Sequence, residues 1–291
     1  MHSLSFMTGN ASDPETNPLN LDNIRKTLIR LEDTIIFLLI ERAQFAHNPR
    51  MYDRNGFADV LKQDNGFQGS WLMWLFKETE SSHAKVRRYD SPDEYPFTDR
   101  KLLPSPILPP LDYPPLLYPK SIYNANSRIL KFYIEEVVPV ITMRVTKSLG
   151  KENDDGNYGS AGTRDVECLQ AMSKRIHCGM FVSESKFLES PSSFIPHILN
   201  PNPVELEKLI TKPAVEAALL KRLEKKAAWY GAELGPDGNP IPAMTKVDVQ
   251  DVVRLYRDFV IPLTRDVEVE YLLKRLDGLS EDEIEELRKR G

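Results

Sequence analysis

Residues 159–187, GSAGTRDVECLQAMSKRIHCGMFVSESKF, decide the fold. Thr163 can start a helix here, since its hydroxyl accepts one of the amide protons left free at a helix N-terminus, and helical spacing then runs to about Phe187. At about 100° per residue, Arg175 shares a face with Cys168, Met172, Gly179 and Val182. Lys186 follows Arg175 by three turns, within about 20° of the same direction. Cys168 and Cys178 are about 15 Å apart along this helix, too far for a disulfide, and read as small buried thiols in a reducing cytosol.

The same period recurs on both sides of this segment. Leu21, Ile24, Leu28, Ile35, Phe37, Leu38 and Ile40 predict a long helix from Leu21 to Phe45, and Trp71, Leu72, Trp74, Leu75 and Phe76 a second between Ser70 and Arg88. Further helices are predicted over Asn126–Thr146, kinked or broken at Pro139, over Val204–Ile210, and over Pro213–Tyr230. A last one runs from a cap at Asp248 to Leu276, bent at Pro262. Nine prolines between Ser91 and Pro119 exclude regular structure there and predict an extended connector. Phe97, Leu108, Leu111, Tyr113 and Leu116 argue that the connector packs down. Pro191, Pro196, Pro201 and Pro203 mark a break, and GAELGPDGNPIPAM (231–244) reads as a loop. No alternating strand or repeat appears. The expected fold class is all-α, a bundle of long helices with a Pro-rich connector and no significant sheet. Residues 1–18 form a flexible arm, 19–278 one helical domain, and 279–291 a charged tail with one short exposed helix.

Composition narrows the function. With 41% hydrophobic residues among 291, the chain can bury a substantial core. A net charge of −5, from 38 basic and 43 acidic residues intermixed, argues against nucleic acid as a partner. No apolar run behind a basic start suggests secretion, and no run is long enough to span a membrane, so a cytoplasmic protein is expected. The five histidines show no metal-ligand spacing, His83 and His177 reading as surface or packed residues. Phosphate-loop and GxSxG motifs are missing. Neither metal nor cofactor is expected.

The informative positions are charges on apolar faces, where an unpaired buried ion costs several kcal/mol. Arg25 shares a face with Leu21, Leu28, Ile29, Glu32 and Ile36, Glu216 with Leu219, Leu220 and Leu223, and Glu268 with Thr264, Tyr271 and Leu272. Each alone fits a buried ion pair or a side chain reaching water at a helix edge. Three cations (Arg25, Arg175, Lys186) and two carboxylates (Glu216, Glu268) together favour an anion-binding pocket inside the bundle.

The segment quoted first resembles the signature region of fungal and plant chorismate mutases of the all-helical AroQ class. The similarity continues through LDNIRKTLIRLEDTIIFLLIERAQFA (21–46), HAKVRRYDSPDEYPF (83–97), AVEAALLKRLEKKAAWYG (214–231) and FVIPLTRDVEVEYLLKRL (259–276). The resemblance implies a cofactor-free Claisen rearrangement of chorismate to prephenate, in which the enzyme holds a flexible dicarboxylate in its reactive shape and stabilises charge growing on the breaking ether oxygen. It assigns Arg25 and Arg175 to the two substrate carboxylates, Lys186 to the ether oxygen, and Glu216 to the ring hydroxyl. Glu268 faces the same ether oxygen and helps only when protonated, which predicts a raised pKa and activity favoured below neutrality. Val182 and Thr264 line the pocket, and Lys212 stands where the yeast-type pattern has Asn. Arg87 and Arg88, with Asn157, Gly159, Ser160 and Thr163, match an effector site across a homodimer interface, at which tyrosine inhibits and tryptophan activates in fungal members. Gly156 and the Ala161-Gly162 pair differ from the yeast-type loop. The alternatives are a non-catalytic helical regulator or scaffold keeping the same pocket, which the five intact charged residues disfavour, and another enzyme of small dicarboxylates.

Overall fold

The computed structural model describes residues 17–111, 113–149, 153–237 and 240–290, so most of the 1–18 arm lies outside the described residues. Its axis is α4, Tyr158–Glu189, a helix of 32 residues and about 48 Å. Against it pack α1 (Leu21–Arg42), α2 (Trp71–Lys85), α3 (Asn126–Phe132) and α9 (Ile261–Leu273), most extensively α1 and α9. Around these lie α5 (Pro191–Leu199), α6 (Pro203–Ile210), α7 (Pro213–Gly231), α8 (Val249–Leu255) and α10 (Glu281–Lys289). No described helix is long and apolar enough to cross a membrane.

The fold is all-α, as expected, with local departures that have physical causes. Helix α4 begins at Tyr158 with Asn157 at the cap, so Thr163 is not the cap but lies in the second turn, its hydroxyl donating to the Gly159 carbonyl at 2.8 Å. Asn157 makes no side-chain capping bond, which left no signature to read. The proline cluster does not simply break the chain: Pro191 opens α5, where its missing N–H is harmless, and α5 tolerates Pro196 because Phe194, Ile195 and Ile198 are buried. The 231–244 loop contains a two-stranded antiparallel ribbon, β1 (Ala232–Leu234) with β2 (Pro240–Thr245). Two strands have only open outer edges, where a proline lacking N–H can sit.

Both internal prolines are met in the same way. Tyr133–Val137 and Tyr256–Val260 are π turns, and in each the residue before the proline bonds five residues back, Val138 N to Tyr133 O and Ile261 N to Tyr256 O. The wider turn backs the Pro139 and Pro262 rings off the preceding turn's carbonyls. Phe132 and Phe259 stack at 3.6 Å between these two segments. The connector does pack down, with Phe97 stacked on Phe76 and Leu116 and Leu117 buried, although Leu108 remains exposed.

Two apolar clusters hold the bundle. The larger joins α1, α2, α3, α4, α7, α8 and α9; the smaller, around Phe187, Phe194, Leu206 and Leu272, receives Ile284 and Leu287 of α10. Helix α10 starts with a full capping box at Ser280 and Glu283. Within the core, Arg42 is fully buried, donating from Nε to Asp165 Oδ1 at 2.6 Å, while the Tyr52 and Tyr133 hydroxyls donate to the same carboxylate. Gly179 is where α4 and α9 touch most closely: a Cβ there would stand 2.9 Å from Glu268 Cγ and 3.0 Å from Thr264 Cγ2. Its missing side chain brings the carboxylate of α9 to the wall of α4.

Candidate active site

A cavity opens where α1, α4, α7 and α9 converge, closed on one side by the α6–α7 junction. Arg25, Arg175, Val182, Lys186, Lys212, Glu216, Thr264 and Glu268 all line it. Thus the three cations and two carboxylates read from helical faces meet in one space, although they come from four helices spread over 244 positions of chain.

The cations differ in how far they are already satisfied. Arg175 is 5% exposed, its Nε has no hydrogen-bond partner, and no ion pair reaches it among the described residues. A guanidinium held this way is poised for an anion, because no carboxylate pairs with it directly and only the through-space attraction of Glu268 offsets its desolvation. Arg25 is half-exposed and pairs with Asp22 one turn back at 2.8 Å, which places it toward the mouth. Lys186 donates to the Ile210 carbonyl at the end of α6. Burial lowers the Lys186 pKa, Lys212 and Arg25 push it the same way, and Glu268 opposes them. Lys212 is exposed and has no ion-pair partner among the described residues.

Glu268 is 8% exposed, and burial pushes its pKa up to about 7 against the pull of Lys186 and Arg175. Glu216 adds to the rise and Arg265 opposes it. Near neutrality a large share of this carboxyl is therefore a hydrogen-bond donor.

Two carboxylates are held by cations of other helices. Glu32, on the Arg25 face, stays outside the cavity and is held by Arg222 at 2.9 and 2.7 Å and by Lys226 at 3.3 Å. Glu216 does not pair with Lys212; Arg265 takes both of its oxygens. Sequence reasoning missed Arg265, although its position three residues before Glu268 puts it on the flank of the same face. It also missed Thr211, which lines the cavity with a buried hydroxyl that has no hydrogen-bond partner among the described residues.

The residues matched to an effector site fall into two groups within one chain. Asn157, Gly159, Ser160 and Thr163 form an exposed stripe on the first turns of α4. Arg88 instead meets α4 at Gln170, 2.9 Å away and about 15 Å along the helix from Ser160, and is also held by Glu94 at 3.1 Å. Glu94 in turn accepts from Lys174 at 2.8 Å, the residue next to Arg175. Arg87 lies beyond the end of α2 at φ 68°, donating to the Pro109 carbonyl.

Comparison with known proteins agrees with this geometry. Residues 157–269 match the family described as chorismate mutase type II. The chloroplastic chorismate mutase 1 of Petunia hybrida is 45% identical over 267 residues, covering 90% of this chain and 78% of that protein. The crystal structure of the Aro7p chorismate mutase from Candida albicans, in complex with L-Trp, superposes with a TM-score of 0.82 at 40% identity, covering 97% of this chain and 99% of that one. AtCM1 with tyrosine bound in its allosteric site gives 0.74 at 43% identity, covering 88% and 96%. With four helices delivering these charges to one cavity and relatives this similar over 88% or more of this chain and 78% or more of their own length, the chain belongs to the chorismate mutase family.

Proposed function

We propose that this protein is a chorismate mutase, an isomerase rearranging chorismate to prephenate in phenylalanine and tyrosine biosynthesis. The observation that carries the reading is Arg175, a buried guanidinium without a direct ion-pair partner, facing the same cavity as a carboxyl that burial keeps about half protonated near neutrality. Arg175 and Arg25 hold the two substrate carboxylates at opposite ends of the cavity, fixing the folded conformer in which the new bond can form. Lys186 leaves the Ile210 carbonyl to donate to the ether oxygen, and neutral Glu268 donates to the same oxygen. Both donations strengthen as negative charge grows on that oxygen, so they lower the barrier rather than merely binding substrate. Glu216 accepts from the ring hydroxyl, Val182 and Thr264 shape the walls, and Lys212 adds positive potential at the rim.

The protein acts as a cytoplasmic homodimer regulated by amino acids. Arg87 and Arg88 of one subunit and Asn157, Gly159, Ser160 and Thr163 at the start of α4 form the effector site across the dimer interface, tyrosine inhibiting and tryptophan activating. The Candida albicans relative with bound L-Trp and AtCM1 with bound tyrosine support this reading.

The test is loss of chorismate absorbance with prephenate identified as product, repeated with tyrosine and with tryptophan. Folded protein without turnover would return the cavity to a binding role, and turnover indifferent to both amino acids would remove the effector site.

A further inference from the structure

Arg265 makes a connection that the roles above leave unused. Its guanidinium meets Glu216 through two parallel bonds, Nε to Oε1 at 2.9 Å and Nη2 to Oε2 at 2.6 Å, while Nη1 reaches Glu207 Oε1 at 3.1 Å. One side chain on α9 thus grips α6 through Glu207 and the first turn of α7 through Glu216, spanning the junction that closes the cavity. A carboxylate offers about four lone-pair sites, and a two-pronged guanidinium occupies two of them, fixing both the position and the plane of the group. We propose that Arg265 is a positioning residue: it locks Glu216 so that the carboxylate's remaining lone pairs accept the substrate's ring hydroxyl.

The inference rests on the chorismate reading of the cavity and adds a residue to it. Without Arg265, Glu207 and Glu216 would lose the cation they share, and Glu268, whose pKa Glu216 raises and Arg265 lowers, would face Glu216 with less compensation. Glu216 is partly exposed and would then turn toward water, away from Glu268. A lysine in place of Arg265 keeps the charge but offers one nitrogen, which can hold a single oxygen and leaves the carboxylate free to rotate.

The experiment compares Arg265→Gln, Arg265→Lys, Glu216→Ala and the Arg265→Gln/Glu216→Ala pair in the full chain. Steady-state kinetics with chorismate are set beside inhibition by two non-reacting dicarboxylate analogues, one bearing the ring hydroxyl and one lacking it. Arg265→Gln is expected to raise KM roughly tenfold, the worth of one hydrogen bond to a charged group, while kcat moves less than about threefold. Arg265→Lys falls between it and the parent. The hydroxylated analogue loses affinity in parallel and the other does not, and in the Glu216→Ala background Arg265→Gln adds nothing. Equal losses for both analogues, or losses that add to Glu216→Ala, would reduce Arg265 to a strut of the α6–α7 junction and overturn the proposal. If Arg265→Gln does not fold, the same comparison is made with Arg265→Lys. An inactive parent protein would instead refute the chorismate reading, so the two failures are distinct.

Discussion

Replacing Glu268 with glutamine is expected to stabilise the ligand-free protein at alkaline pH and to leave it nearly unchanged in acid. The carboxyl titrates at about 7 in the fold against an ordinary value of 4.5, so between these limits the folded chain holds a proton that the unfolded chain has released. Stability therefore falls as pH rises through that window, at up to about 1.4 kcal/mol per pH unit, and above pH 7 the ionised group costs the fold about 3 kcal/mol. Glutamine is neutral throughout and escapes the cost. Urea unfolding of both proteins at half-unit steps from pH 4.5 to 8.5 reads the difference directly. The gap should open from near zero to about 3 kcal/mol in favour of Glu268→Gln. In parallel, kcat/KM of the parent should fall above about pH 7, while the variant's should stay level through the same range. A stability gap independent of pH, or a variant that loses activity toward high pH, would refute a neutral Glu268 as the working form.

Arg175→Met should abolish turnover yet raise the stability of the ligand-free protein by about 1–3 kcal/mol, because a desolvated cation without a partner is exchanged for an apolar side chain; chemical unfolding and the chorismate assay read the two halves. Gly179→Ala introduces a methyl 2.9 Å from Glu268 Cγ and 3.2 Å from the Thr264 carbonyl, forcing α4 and α9 apart; about 1–3 kcal/mol of stability is expected to be lost, with kcat/KM falling alongside. Asp165→Asn strips the fully buried Arg42 of its counter-charge and should cost about 3–5 kcal/mol, measurable as a fall in Tm.

What could be read from the chain, and what could not, divides along physical lines. Arg25, Arg175, Lys186, Glu216 and Glu268 were visible because a charge on an apolar helical face breaks a local pattern, and local patterns need no knowledge of the fold. Arg265 was invisible on that criterion: it sits on the flank of its helix, and its importance lies in Glu207 and Glu216, which are distant in sequence. Asp248 announced its helix by a side-chain bond to Gln250 N, whereas Asn157 caps α4 with no such bond and Thr163 looked the better candidate. The prolines of α5 were read as breakers because what overrides them, the burial of Phe194, Ile195 and Ile198 against Phe187 and Leu272, is tertiary. Arg42 and Asp165, the most deeply buried ion pair described, lie 123 residues apart, and neither shows its partner locally.

The π turn at Tyr256–Val260 carries a consequence at a distance from where it lies. A π turn amounts to one extra residue in a helix, so everything beyond it is rotated by about 100° relative to an uninterrupted continuation of α8. Thr264, Arg265 and Glu268 all lie beyond it. Their aim is therefore a phase, set by an insertion several residues upstream and held there by Pro262 and by the ring stack of Phe259 on Phe132. Tightening that turn to regular α spacing with every residue kept would turn Glu268 about 100° away from the cavity, whereas removing one residue from it would let an uninterrupted helix keep the aim, so the chemistry of this helix is encoded as much by counting as by composition.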